Sequence, residues 1–491
     1  MFKDSGIEKV YNERLERYVT AMNLGVPDRI PVRFLFQEAA ARHVGYTNQQ
    51  VACDYNLAFE ATRRMAEDMN SDAVMLNAIW SNYGVGKSAS WKYLHVPGVD
   101  VHTGSVNQYS EPSDPGEQFM LEDEYDEFID DPTAFLLTKW FPRITTQLVK
   151  PGQPVTFDHN VALVSGALAY ANYMNAFGPA AAKLKYDSGI VSANSGMIKA
   201  PLDILADKFR GYMCTAADTI ERPEQVLKAC EALMPHILAN ALAGADPDKN
   251  VPITIWAHRG CVPFFSQKTF DTIFWPTLKP IFEEIISKGH QILFYGEGNW
   301  EAHYDALKEL PAGSIIYHLD KGDPVLAAKA FKGHFAISGG LPYNVLAKGT
   351  PDDVRNEMKT LFEIMKPGGG YILDCTALML HDINPANVKA AVDYTMDHGV
   401  YSQSSSAPEN KPKRWSEQKY TPTESSFSSG SSGINGKTGI SQTKRPPLTV
   451  RTWEEESTGY RHLSGDIDLV KRKWMENDSA CYNYIWTTVL W

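Results

Sequence analysis

The chain has 491 residues, of which 43% are hydrophobic, 11% aromatic and 22% charged, and its net charge is −12. At roughly 150 residues per domain this length allows about three domains, or one α/β barrel with insertions. The composition excludes fully disordered, collagen-like and coiled-coil chains, and the negative charge argues against nucleic-acid binding, which needs a dense Lys/Arg face. No uninterrupted apolar run approaches the roughly 18–20 residues of a membrane span, and Met1-Phe2-Lys3-Asp4 lacks the apolar segment of a signal peptide. The expectation is a cytoplasmic enzyme with no membrane and no nucleic-acid partner. The six cysteines show no CxxC spacing, which fits reduced thiols better than a disulfide framework.

Short apolar runs alternate with amphipathic stretches up to Tyr401. Arg29 to Phe34, Asp72 to Leu76, Val155 to Phe157, Val251 to Trp256, Gln291 to Phe294, Ser314 to Tyr317, His334 to Ser338 and Tyr371 to Leu373 read as buried strands. Helical periodicity covers Gln49 to Met69, Pro223 to Ala243, Phe270 to Lys288, Pro324 to Phe331, Pro351 to Met365 and Pro385 to Met396. Several of these helices begin with Pro, whose missing N–H costs nothing at the first helical position. Tyr93 to Glu117 reads as a loop or hairpin insertion. A βαβα rhythm with about eight strands and no GxGxxG turn favours a (β/α)8 TIM barrel over an open doubly wound sheet. Residues 1–401 are therefore expected to form the barrel.

After Tyr401 the chain becomes Ser-, Gly- and Pro-rich, and residues 402–447 read as a disordered linker. Residues 448–491 hold Trp453, Trp474, Trp486 and Trp491. They read as an aromatic-rich extension that either docks on the barrel or takes no part in chemistry.

Barrel chemistry sits at the C-terminal ends of the strands. Three such ends carry His258 with Arg259 and Cys261, Glu297 between two glycines, and Asp374-Cys375. Imidazole, carboxylate and thiolate together suit zinc, with Cys261 as the rival to Cys375 for the sulfur ligand. The plain alternatives are a buried Cys acting as a small hydrophobe, a hydrogen-bonded His and a Glu that caps a helix. Asp158 and His159 follow the run VTF and offer a general acid/base pair or a structural Asp–His hydrogen bond. Asn77, Trp80 and Trp256, together with Tyr295, offer a substrate wall, and core packing is their alternative fate.

The segments RLERYVTAMNLGVPDRIPV, FRGYMCTAADTIERPEQVLKA, FDTIFWPTLKPIFEEIISKG and KPGGGYILDCTALMLHDINPANVKAAVDYTMDHGVY resemble the uroporphyrinogen decarboxylase (URO-D) superfamily, over about residues 10–401. The resemblance implies a (β/α)8 barrel and one of two activities, porphyrin decarboxylation or zinc-dependent methyl transfer with a corrinoid protein. The decarboxylase branch places two arginines after the first strand, where this chain has Phe36 and Ala40, and an Asp after the second, where it has Asn77. An octa-acid substrate would then lack its cationic contacts and meet Glu38 instead.

The methyltransferase branch resembles the chain better. It takes zinc ligands from an H-x-C-G segment, held here by Tyr295-Gly296-Glu297-Gly298, and from a distal Cys that matches Cys375. With His258 replacing the missing histidine, the implied zinc ligands are His258, Glu297 and Cys375. The implied catalytic and substrate residues are Asp158, His159 and Tyr295, with Asn77, Trp80, Trp256 and Arg259 around the substrate. The implied reaction moves a methyl group from a small methylated donor, such as an aryl methyl ether, to cobalamin on a corrinoid carrier protein, because the chain has no DxHxxG cobalamin motif of its own. Two alternatives remain. One is a lyase acting on a carboxylated substrate through Asp158, His159 and Arg259, and the other is a non-catalytic tetrapyrrole- or corrinoid-binding module.

Overall fold

Strands that are apolar on both faces need cover on both sides, and the arrangement of this α/β chain follows from that demand. The computed structural model describes residues 1–81, 83–112, 118–146, 154, 156–401, 413–422 and 444–490. The strands are β1 (Arg33–Phe34), β2 (Ala73–Val74), β3 (Leu94–His95), β4 (Gln108–Tyr109), β5 (Val191–Ser192), β6 (Met197–Lys199), β7 (Ile253–Ala257), β8 (Ile292–Asn299), β9 (Ile315–Lys321), β10 (Ala336–Gly339) and β11 (Tyr371–Ile372).

β1, β2 and β5 form a parallel three-stranded sheet, and β6 to β11 form a parallel six-stranded one in sequential order. β3 and β4 form the expected insertion hairpin, of which residues 113–117 lie outside the described part. The regular ladder is thus divided, unlike the single ladder of a fully regular barrel, because residues 193–196 between β5 and β6 are irregular and the strands of the smaller sheet are only two residues long. The sheets are nevertheless connected at both edges, by the continuous chain 193–196 at one and by hydrogen bonds at the other. Ala193 N–H donates to Val74 C=O (2.9 Å) while Thr254 N–H donates to Gly196 C=O (2.8 Å), and Arg33 N–H donates to Leu373 C=O (3.0 Å) while Leu373 N–H donates to Pro31 C=O (2.9 Å).

Alternation along the strands separates two buried clusters. Leu293, Tyr295, Ile316, Ala336 and Ile372 share the inner one with Tyr18 and Met22 of the helix Ser5–Met22. Tyr18 hydroxyl donates to Ala193 C=O (2.9 Å), so this helix packs on the inner residues. Ile292, Phe294, Ile315 and Tyr317 belong to the outer cluster beneath the surrounding helices.

Helices Pro223–Ala243, Pro324–Phe331 and Pro351–Met365 have the expected bounds. Pro385–His398 runs two residues further than expected. Pro223–Ala243 is long and apolar enough to cross a membrane, but 56% of its apolar stretch is buried inside the protein. The expected helix from Gln49 is broken at Asp54, whose side chain accepts from the N–H groups of Asn56 and Leu57 and so starts Tyr55–Asp68 afresh. The helix expected over 270–288 begins as a π-helical turn, Phe270–Phe274, before Trp275–Ser287.

One expected strand is a helix. Val155 lies outside the described residues, and Phe157–Tyr186 is a 30-residue helix capped by Thr156, whose side chain accepts from His159 N–H. Its alanine-rich sequence favours a helix, and the three-residue run VTF was too short to outweigh it. The strand that does lie here is β5 with β6. It escaped detection because VSANSGMIK has no apolar run.

Of the expected linker 402–447, residues 402–412 and 423–443 lie outside the described part. Residues 413–422, also expected to be disordered, pack on the body instead. The anchor is Trp415, 4% exposed, whose backbone N–H donates to Asn23 Oδ1 (2.7 Å) and whose indole donates to Ile286 C=O (3.2 Å). In the aromatic-rich extension, Ile467–Leu490 is a helix with Tyr482 and Trp486 fully buried, while Trp491 lies outside the described residues. Trp486 stacks on His236 of Pro223–Ala243 at 4.1 Å, and His236 Nδ1 lies 2.6 Å from Tyr482 hydroxyl.

Burial pushes the His236 imidazole down to about 3, so the folded state holds it neutral where the unfolded chain protonates it. This contribution is complete above the ordinary value of 6.5 and is lost as pH falls toward about 3. The protection factors in Ile467–Leu490, corrected for the intrinsic exchange rate at each pH, are expected to fall across that window. Trp486→Ala is expected to undock the helix at neutral pH, at a cost of about 3 to 5 kcal/mol. Unchanged protection in both cases would show that the helix is held by other contacts.

Candidate active site

The C-terminal ends of β6, β7 and β8 carry a cluster of buried and half-buried charges. Lys199 ends β6, and the chain turns at Pro201 into Pro201–Ile204 and then the π-helical turn Leu205–Arg210. Such turns are frequent at functional sites. Here the segment carries Asp203 and Asp207, each at most 1% exposed. Asp203 accepts the backbone N–H groups of His258 (2.9 Å) and Arg259 (3.0 Å), which fixes the loop after β7.

Asp207 is the meeting point of three cationic side chains. Lys199 Nζ donates to it at 2.9 Å, His258 Nε2 lies 3.0 Å away, and Arg259 Nε donates at 3.4 Å. Burial alone would raise its carboxyl, but Lys199 and His258 outweigh burial and hold it well below the usual range. His258 Nδ1 also lies 3.6 Å from Asp203. Burial opposes the imidazolium, and the two aspartates overcome it and raise His258 above 6.5.

The insertion hairpin covers this cluster. Tyr109 hydroxyl donates to Asp207 C=O, and Lys208 Nζ lies over the rings of Tyr93 (4.7 Å) and Tyr109 (4.5 Å). Burial, reinforced by Lys199, drives the Lys208 amine well below its ordinary value. Glu111, just past β4, pairs with Arg259 Nη2, and the guanidinium packs 5.0 Å from the ring centroids of both Tyr212 and Phe264.

Beside the charges lies an aromatic wall. Trp256, Tyr295 and His318 occupy matching positions on β7, β8 and β9 and stack at 4.0 Å spacings. Trp256 is half-buried, Tyr295 fully buried. Glu297 is two residues beyond Tyr295 and hydrogen-bonds the Trp256 side chain. Burial raises its carboxyl, His258 opposes the rise, and Asp320 adds to it. Deeper in, Arg33 donates to Asp374 (2.6 Å) and to Ser338 Oγ (2.9 Å).

The three residues expected to bind zinc do not fit it as placed. His258 is engaged by two aspartates, and Cys375 shares a buried apolar cluster with Leu341 and Leu373, where burial pushes its thiol up to about 12. Among the described residues, no group of three or more His, Cys, Asp or Glu side chains is arranged to hold a metal ion. The rival Cys261 donates its thiol to His258 C=O (3.1 Å).

Asp158 and His159, expected at a strand end, are on the first turn of Phe157–Tyr186, with Asp158 exposed and His159 half-buried. Asn77 does follow β2 and hydrogen-bonds Tyr173, while Trp80 is 45% exposed. Phe36 and Ala40, where the decarboxylases carry arginines, are fully buried apolar core. Lys199, Asp203, Asp207 and Glu111 were not anticipated. The available signal was an aspartate pair at i, i+4 on a helix, but it was visible only to a reader who had recognised β6.

Residues 191–398 match the family model for uroporphyrinogen decarboxylase (URO-D). That stretch contains Lys199, Asp203, Asp207, His258, Arg259, Glu297 and Cys375. Among solved structures, a methyltransferase from Methanosarcina mazei is similar over 78% of this chain and 98% of its own, with 16% identity and a TM-score of 0.52. At that identity the likeness is one of fold. No curated protein sequence matches the chain.

Asp207→Asn removes the one carboxylate on which Lys199, His258 and Arg259 meet. Because it leaves buried cations underpaired, it is expected to cost about 3 to 5 kcal/mol in denaturant unfolding. A loss below about 1 kcal/mol would show that water or other groups replace Asp207 freely.

Proposed function

We propose that the chain is a methyltransferase that takes a methyl group from a small methylated donor, such as an aryl methyl ether, and passes it to cobalamin on a separate corrinoid carrier protein. In this reading the two sheets, connected at both edges, are one (β/α)8 barrel whose mouth is the charged cluster. The URO-D match and the fold of the Methanosarcina mazei methyltransferase support it at the level of the family.

The observation that carries the reading is an acid beside an aromatic wall. Glu297 sits against Trp256 with its carboxyl raised by burial, so it holds a proton more readily than an exposed glutamate. The half-buried Trp256, backed by Tyr295, offers a flat face to an aryl donor. Phe36 and Ala40 remove the cationic pair that a polycarboxylate porphyrin would need.

Demethylating an ether leaves an electron pair on the departing oxygen. The methyl carbon goes to the corrinoid partner, and the oxygen takes the Glu297 proton as the C–O bond breaks. His258, whose imidazolium is favoured by Asp207 and Asp203, stabilises the charge that develops nearby. Among the described residues, His258, Glu297 and Cys375 do not converge on a metal position.

Mixing the protein with reduced cobalamin and methoxylated aromatic donors is expected to convert the Co(I) absorption spectrum to that of methylated cobalamin. Glu297→Gln is expected to slow this by about 100-fold or more while leaving the thermal transition in place. Conversion of uroporphyrinogen to coproporphyrinogen without cobalamin would overturn the reading.

A further inference from the structure

Arg259 links the cluster to the insertion hairpin, through Nη2 on Glu111. Its Nε reaches Asp207 at 3.4 Å, a long contact to a carboxylate already taken by Lys199 at 2.9 Å and His258 at 3.0 Å. Its backbone is fixed by Asp203, and the rings of Tyr212 and Phe264 lie 5.0 Å from the guanidinium carbon. The guanidinium is therefore held in one orientation, with Nη2 presented to the insertion hairpin. Among the described residues, the acceptor there is the Glu111 carboxylate.

Glu111 is an exchangeable partner. Its only hydrogen bond among the described residues is to Arg259, it is half-buried, and burial with repulsion from Asp207 outweighs the attraction of Arg259, His258 and Lys199, so its charged form is disfavoured. A planar guanidinium with its other contacts fixed matches a carboxylate by geometry as well as by charge. Trp256, the penultimate residue of β7, lies three residues before Arg259 in the loop that follows the strand, so an aromatic face and a carboxylate receptor belong to one mouth.

We propose that Arg259 is the receptor for a carboxylate on the substrate, and that Glu111 is its intramolecular stand-in, exchanged for that carboxylate when the substrate binds. The substrate class becomes a small methylated carboxylic acid, its ring or chain against Trp256 and its carboxylate on Arg259. The methyl part of this statement rests on the reading given under Proposed function, whereas recognition of a carboxylate does not. Exchange creates no net ion pair, because one carboxylate replaces another on the same guanidinium. Affinity for a free acid is therefore limited by the competing Glu111.

Calorimetric titration of the full-length protein with benzoate and with its neutral counterpart benzamide tests the exchange. Glu111→Gln is expected to bind benzoate at least about tenfold more tightly than the wild type, with benzamide affinity unchanged. Adding Arg259→Gln to Glu111→Gln is expected to abolish the gain. Glu111→Ala serves as a second variant if the glutamine substitution disturbs folding, and the same gain is expected. An unchanged benzoate affinity in both variants, or an equal gain for benzamide, would overturn the proposal. Benzoate binding as described together with no methyl transfer to cobalamin from any methoxylated acid would leave the receptor in place and overturn the methyl-transfer reading alone.

Discussion

The site depends on the carboxylate of Asp207. A buried carboxylate is costly, and this one is compensated by Lys199 at 2.9 Å, His258 at 3.0 Å and Arg259 at 3.4 Å, from the ends of two neighbouring strands. Asp203, four residues earlier on the same face, fixes the backbone from which His258 and Arg259 project. Each partner constrains the next. The imidazolium is favoured, the guanidinium points at the hairpin, and Glu297 lies within the field of His258. An acid whose hold on its proton is strengthened by burial, beside a fixed charge cluster, follows from that order.

Much of the architecture was legible where local chemistry and global packing agree. In a helix such as Pro351–Met365, the Pro at the start, the Thr350 cap with Asp353 and a 3.6-residue apolar period all point to one element. Strands β7 to β10 were legible because both their faces are buried. β5 and β6 were not, since Ser, Asn and Gly interrupt them where they pass from one sheet to the other. That omission hid Lys199, Asp203 and Asp207, the centre of the site.

The residues expected to hold zinc are set apart by pairing and burial. His258 has partners of opposite charge on the adjoining helical turn, which only the fold brings beside it. Beyond β11, Asp374 meets Arg33 while Cys375 belongs to the outer apolar cluster. Burial there, reinforced by Asp374, holds the thiol in its protonated form, which is a poor metal ligand. Asp158 and His159 were displaced for a different reason, because a Thr cap and an alanine-rich sequence turned their expected strand into a helix.

If Asp207 organises the cluster by keeping His258 protonated, an NMR titration of the His258 imidazole tests that role most directly. The expected midpoint lies above the ordinary 6.5 in the wild type and falls in Asp207→Asn as the nearest counter-charge is removed. A wild-type midpoint at or below 6.5, unmoved by that substitution, would contradict it.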